Sequence, residues 1–339
     1  MNSKLPFRPW GELTWALGKS APRLWQYFGC IAAEDRSTAG LLSLHRMGLL
    51  GSMEMLRIID TEPADPAIDE SKINEQIAAC NTAGCSFVPI NVALEAPLQN
   101  VAWKQRLAFP EHTSFCLDIS SLPKRFFFQA IKAALASKNV QDFLILYSKP
   151  VGYPEGALSG NPKDWETITG FGCEDPDHQS DAASRLIVGA GFAVDGLHDH
   201  LEGRSGGIGV DVLIPFPAQP WRSVRRSWES ARRIEEALGA DPDRGLSEVK
   251  PAYHQVGALD TSTTFEKLLS LTKSGSIPAT LAPLGPKPLS VAMCLLASQT
   301  DCHPVYYAQP RTYALDYSSG CDTTYAYWIK HQGVNLYSL

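Results

Sequence analysis

The chain has 339 residues, 44% of them hydrophobic and 19% charged, with a formal net charge of −6 at pH 7. That length admits two domains or one large α/β domain, and the acidic balance excludes a mainly electrostatic nucleic-acid binder. No apolar run approaches the roughly 18–20 residues that span a bilayer, and residues 1–10 lack the apolar stretch of an export signal, so a cytoplasmic setting is expected.

In chain order, 25–33 reads as a buried strand that ends on Glu34, Asp35, Arg36 and Ser37. Leu41, Leu42, Leu44 and Met47 then recur at helical spacing over 38–50, and 52–60 returns to a strand pattern. A helix is expected over 70–83, with Ile73 and Ile77 on one side and Gly84 as its C-cap, followed by a short strand at 87–92. The clearest unit is 114–147: a strand at 114–119, a helix at 126–136 and a strand at 143–147. Continuous apolar runs joined by a helix are the pattern of a parallel βαβ crossover.

Gly, Pro, Asp and Asn dominate 152–181, which reads as an insertion or lid. Strands at 185–190 and 210–215 flank a helix at 194–201. Val224, Trp228, Ile234 and Leu238 form the apolar side of a helix at 223–238, whose Arg222, Arg225, Arg226, Arg232 and Arg233 make a solvated basic face. A helix at 265–273 precedes a second strand–helix–strand unit at 280–283, 289–298 and 304–307. The aromatic-rich last thirty residues are expected on the sheet edge.

The fold class expected is α/β and Rossmann-like: a mostly parallel sheet with helices on both faces, built from two βαβ-rich halves. The first half is 1–150, an insertion or lid fills 151–183, and 184–339 is the second half with its aromatic C-terminal segment. The two units share returning strands that end Tyr-x-x-Pro, at Tyr147 and Tyr307, which shared packing physics explains more simply than duplication. Eight cysteines without a CxxC pair read as reduced thiols, with Cys30, Cys116 and Cys294 in apolar runs.

Chemistry is sought at strand ends, because open parallel sheets bind ligands beyond the carboxyl ends of their strands. The loop after 114–119 carries Asp118, Ser120, Ser121, Pro123, Lys124 and Arg125. Its late counterpart reads Leu284-Gly285-Pro286-Lys287-Pro288, again opening a helix. Hydroxyls, backbone amides and a cation at a helix start suit phosphate or carboxylate. Each loop taken alone reads as a capped helix start rather than a site, with Ser120 as cap and Pro123 as N-terminal helix proline. With Glu34, Asp35 and Arg36 after the first strand, three loops are expected on one crevice of one sheet, holding a nucleotide or another anionic small molecule.

His198, Asp199 and His200 with Asp195 have poor spacing for one metal, and no metal site is expected. Glu174, Asp175, Asp177 and His178 read as a surface loop. No GxSxG, HExxH, Walker A or GxGxxG pattern is present, and no cofactor or catalytic residue is assigned.

The stretch 284–293, Leu-Gly-Pro-Lys-Pro-Leu-Ser-Val-Ala-Met, resembles the turn of CRISPR-associated Rossmann-fold sensor domains, with Lys287 at the matching cation. The Asp118 to Arg125 loop is the best counterpart of that family's early ligand loop. Pro286 and Pro288 stand where the family usually has Gly or Thr. The resemblance implies a nucleotide sensor with a defence-associated role, working with protein partners or as a homo-oligomer. Two other functions compete with it. One is an enzyme acting on a nucleotide-like phosphorylated substrate, with Asp118 or Glu34 as general base. The other is a non-catalytic structural subunit that uses the aromatic C-terminus as a contact surface.

Overall fold

A computed structural model of the chain describes residues 7–18, 23–60, 66–154, 158–173, 185–191, 197, 208–217, 224–238, 250–314 and 316–339. The chain forms two compact units, Met1–Asn161 with Arg311–Ser338, and Pro162–Pro310 with Leu339.

The first unit contains β1 (Trp10–Glu12), β2 (Trp25–Ile31), β3 (Leu50–Ile59), β4 (Ile90–Ala93), β5 (Thr113–Asp118) and β6 (Val140–Ser148). Its helices are α1 (Leu13–Leu17), α2 (Ala39–Arg46), α3 (Pro66–Thr82), α4 (Val101–Arg106) and α5 (Lys124–Ala136), with a 3₁₀ turn at Asp35–Ser37. In the second unit lie β7 (Arg185–Gly189), β8 (Gly209–Pro215), β9 (Ala252–Val256), β10 (Thr280–Pro283), α6 (Val224–Ala237), α7 (Thr261–Leu271) and α8 (Lys287–Ala297). The chain then returns to the first unit as β11 (Thr324–His331) and β12 (Val334–Asn335).

The first sheet has eight strands in the order β1-β11-β6-β5-β2-β3-β4, with β12 paired to β11. From β6 to β4 every pairing is parallel, whereas β11 runs antiparallel to β6 and β1 antiparallel to β11. Numbered along the chain, the five parallel strands β2 to β6 lie in the order 3-2-1-4-5. Helices cover both faces. On one face Leu13, Leu41, Leu44 and Ile73 pack with Tyr27, Ile31, Cys116 and Leu146. On the other, Trp103 of α4 meets Phe28 edge-on at 6.1 Å and Phe126 of α5 at 5.4 Å, beside the row Phe28–Phe115–Phe143. Strands buried on both sides explain the unbroken apolar runs of β5 and β6. Asn100 starts α4 by accepting from Trp103 N at 2.8 Å.

The second sheet has four strands in the order β9-β8-β7-β10, all parallel. Along the chain that is 3-2-1-4, the same order as the first sheet. Val305 adds a parallel bridge to Leu281 of β10. Leu186, Val188, Val212, Ile234 and Leu238 form its core on the α6 side. Among the described residues, no helix is long and apolar enough to cross a membrane.

Two expectations change. A single sheet carrying both Pro-Lys turns is replaced by two sheets of like order, with antiparallel β11 on the edge of β6 in place of a further parallel strand. The aromatic C-terminal segment, grouped by chain order with the second half, accordingly forms an inner strand of the first sheet. β1, α1, α4 and β9 had no distinct sequence signal, being short or only partly buried.

Candidate functional site

Where strand order reverses, the loops leaving the two central strands diverge to opposite faces and leave a crevice at their carboxyl ends. In the first unit those strands are β2 and β5, in register from Gln26 opposite Phe115 to Phe28 opposite Leu117. The predicted residues Glu34, Asp35 and Arg36 follow one of them, and Asp118, Ser120, Ser121, Lys124 and Arg125 end or follow the other. Gly285 and Lys287 follow β10, in the second unit.

The loop after β5 is braced from within. Asp118 is buried, and its Oδ2 accepts from the Tyr27 hydroxyl at 2.8 Å while its Oδ1 accepts from Ser120 N at 2.8 Å. Ser120 Oγ in turn accepts from Ser148 N at 2.8 Å. Burial, reinforced by the Asp118 carboxylate, pushes the Tyr27 phenol well above its ordinary pKa. Ser121 Oγ is buried with no hydrogen-bond partner. Lys124 opens α5 behind Pro123 (φ −61°, ψ 152°), and Lys287 opens α8 behind Pro286 (φ −54°, ψ 152°). The two Pro-Lys turns are thus one backbone device, each following the fourth strand of a 3-2-1-4 order. Arg125 points its guanidinium to the carbonyls of Leu94 (2.5 Å) and Ala96 (2.9 Å), tying α5 to the loop after β4.

The loop after β2 is built around Arg36, which is 1% exposed. Its Nε and Nη2 donate to Glu34 Oε2 at 2.9 and 2.7 Å, its Nη1 to Ser148 O at 3.3 Å, and its guanidinium lies 5.7 Å from the Tyr147 ring centre. Burial is the largest influence and opposes the charge, but the Glu34 carboxylate together with Tyr147 and Tyr153 raises the guanidinium pKa above its ordinary value. Arg36 therefore already has an internal counter-ion. Asp35 Oδ2 accepts from Gly320 N at 2.8 Å.

That last contact introduces a part of the site absent from the sequence reasoning. Residues 317–324, Tyr-Ser-Ser-Gly-Cys-Asp-Thr-Thr, run as a strap past the ends of β2 and β6. Ser318 Oγ donates to Glu34 Oε2 at 2.5 Å, Lys149 pairs with Asp322 at 2.6 Å, and Ser148 Oγ meets Thr324 Oγ1 at 2.8 Å. Its run of small polar residues between aromatic stretches was the available signal. Beside the strap opens a cleft of about 470 Å³, bounded by Asp35, Thr38, Arg46, Gln76, Cys321 and Asp322. This volume is in the range of small-molecule pockets. Glu12, Asp35 and Asp322 against the single guanidinium of Arg46 suit hydroxyl or amino groups better than phosphate. Burial, with help from Asp118, raises the Cys321 thiol pKa.

Asp60, just past β3, is a second residue missed. Burial pushes its carboxyl up to about 6, with the backbone of Tyr313 pulling the other way and Asp69 adding to the rise. Its folded pKa exceeds its ordinary value, so its contribution to stability is full at low pH and is lost as pH rises through about 6. Asp60→Asn should therefore stabilise the first unit by about 1 kcal/mol above pH 7 and leave it unchanged below pH 4, after discounting for partial exposure. Urea midpoints at both pH values check this; an equal shift at both would point to a cause other than titration.

Among the described residues, no group of three or more His, Cys, Asp or Glu is placed to hold a metal ion. Asp195, His198, Asp199, His200, Glu174, Asp175, Asp177, His178 and Arg222, with the side chains of Arg225 and Arg226, lie outside the described residues.

Taken together, strand orders and loops define an α/β chain with two parallel sheets of like order and internally braced loops at the turning point of the first. No protein-family model matches the chain, and no curated protein matches it in sequence.

Proposed function

We propose that this chain is a Rossmann-like binding subunit for a nucleotide or similar phosphorylated small molecule, acting as a sensor that signals to partner proteins. One observation carries the reading. The two loops of the first unit that the sequence marks as ligand loops, after β2 and β5, both leave the strands where its order reverses, which is the general ligand position of such sheets. Lys124 and the first turn of α5 supply positive potential, and Asp60, at the end of the strand next to β2, suits a sugar hydroxyl. The acid-rich cleft favours the hydroxyl- or amino-bearing part of the ligand. The like-built turn at Gly285 and Lys287 makes the second unit a candidate for a second such site. The defence-associated role comes only from the family resemblance.

The enzyme reading has one observation in its favour, a carboxyl at Asp60 tuned to about 6, where it can both take and give a proton near neutrality. Asp118 and Glu34 fit that role less well, since each is held by internal donors.

Thermal-shift screening against mononucleotides, cyclic oligonucleotides and NAD tests the proposal. A true ligand at a hundredfold over its Kd should raise the midpoint by about 5–10 °C. The Lys124→Ala, Lys287→Ala double variant should lose the shift while keeping its unliganded midpoint. If no member of the panel shifts the wild type, the nucleotide reading fails; if the double variant shifts equally, its site is wrong. Turnover of the hit, followed by chromatography, separates binder from enzyme.

A further inference from the structure

The strap 317–324 is held almost wholly by polar contacts. Of its residues only Ser318 is buried. Tyr317 anchors one end in a cluster with Tyr153 (6.3 Å) and Tyr313 (5.9 Å), and Thr324 begins β11 at the other. Between these anchors the side-chain tethers are Ser318 to Glu34, Gly320 N to Asp35 and the Asp322 pair with Lys149. Backbone bonds add the Ser319 bridge to Gly152, Val151 N to Ser319 O (3.1 Å), Asp322 N to Lys149 O (2.8 Å) and Lys149 N to Thr323 O (2.9 Å). Gly320 takes a φ of +62°, which lets the strap turn where a side chain would resist. Each tether exchanges for a water contact at small net cost, and a segment with little apolar burial belongs to the part of a fold that opens first. Beneath it lies Arg36, 1% exposed and bound to the same Glu34 oxygen that receives Ser318.

We propose that 317–324 is a gate over Arg36. When it lifts between Tyr317 and Thr324, Ser318 releases Glu34, and the Arg36 guanidinium faces the crevice beyond β2. A phosphate oxygen can then replace Glu34 as its partner. Closed, the gate leaves Arg36 neutralised; open, it supplies a bidentate anion contact. The second step rests on the phosphorylated-ligand reading above, but the gate itself does not.

The test measures the accessibility of Arg36 directly. Phenylglyoxal modification of Arg36, followed by mass spectrometry, is compared in the wild type and in the Ser318→Ala, Asp322→Ala variant. With two side-chain tethers removed and the backbone bonds to 149–152 left in place, modification should speed about tenfold, with the circular dichroism spectrum unchanged. Pyrophosphate should then slow the modification in the variant back towards the wild-type rate. Wild-type protection of Arg36 in the folded variant overturns the gate, and faster modification without pyrophosphate protection overturns the anion step. Should the double variant misfold, Asp322→Asn, at an exposed position, is followed by amide exchange of 318–323, where an unchanged rate overturns the gate. Because the readout is a modification rate, nucleotide stabilisation in the thermal screen stands or falls separately.

Discussion

Gly40→Ala should destabilise the first unit by about 3 kcal/mol, and most of that loss should disappear in an Asp118→Ala background. A Cβ on Gly40 would stand 2.2 Å from Asp118 Oδ2 and 3.1 Å from Leu146 Cδ1. The oxygen cannot retreat freely, because Oδ2 is the atom that accepts from the Tyr27 hydroxyl. Either Tyr27 loses its buried partner or α2 lifts from the sheet, and both outcomes disturb the loops after β2 and β5. Asp118→Ala alone should cost about 2 kcal/mol by leaving the Tyr27 hydroxyl buried and unsatisfied. Chemical denaturation of the two single variants and the double variant gives the coupling. Additive losses would show that the contact between Gly40 and Asp118 is not what fixes α2 on β5.

The second large effect is a pH dependence in the second unit. His303 is 2% exposed, and neither ring nitrogen closes a hydrogen bond of normal geometry, although the backbone of Ala279 and Gly275 lies near enough to favour its charge slightly. Burial prevails and brings its pKa down to about 4. The folded unit therefore holds the imidazole neutral, while the unfolded chain takes up a proton below its ordinary value near 6.5. The stability contribution is full above about 6.5 and is lost as pH falls to about 4, a loss of about 3 kcal/mol across that window. His303→Phe should flatten this slope and leave stability at pH 7.5 nearly unchanged. Amide exchange of β10 and α8, measured from pH 7.5 to 4, isolates the second unit from the opposite slope of Asp60 in the first. Parallel acid losses in wild type and variant would exclude His303 as the cause.

Much of the fold was legible because βαβ units announce themselves locally. The apolar runs of β2, β5 and β6, the helical spacing of Leu41 and Leu44, and Gly84 in its left-handed turn (φ +83°) all declare themselves within a dozen residues. The position of Asp118, Ser120 and Lys124 beyond a strand end followed from the same patterns. Less legible was what each side chain meets. Arg36 and Arg125 read as cations for a ligand, yet Glu34 and the carbonyls of Leu94 and Ala96 hold them. Only the pairing of β11 with β6 reveals that the strap reaches Glu34, because Ser318 and Glu34 are 284 residues apart. Local periodicity carries no information on such contacts. The requirement for glycine at position 40 of α2 is hidden for the same reason, since the oxygen it accommodates belongs to Asp118 of β5.

The return of β11 also sets an order of events during synthesis. Ser148 at the end of β6 and Thr324 at the start of β11 are 176 residues apart, so the ribosome delivers one edge of the sheet long before its partner. The second unit is drawn almost entirely from the contiguous stretch Pro162–Pro310, so it can close while β6 still waits. Until β11 emerges, β1 lacks its hydrogen-bonded neighbour and β6 presents a bare, apolar edge to other nascent chains. The first unit, begun first, is finished last, and its Arg36 is covered only in that final step.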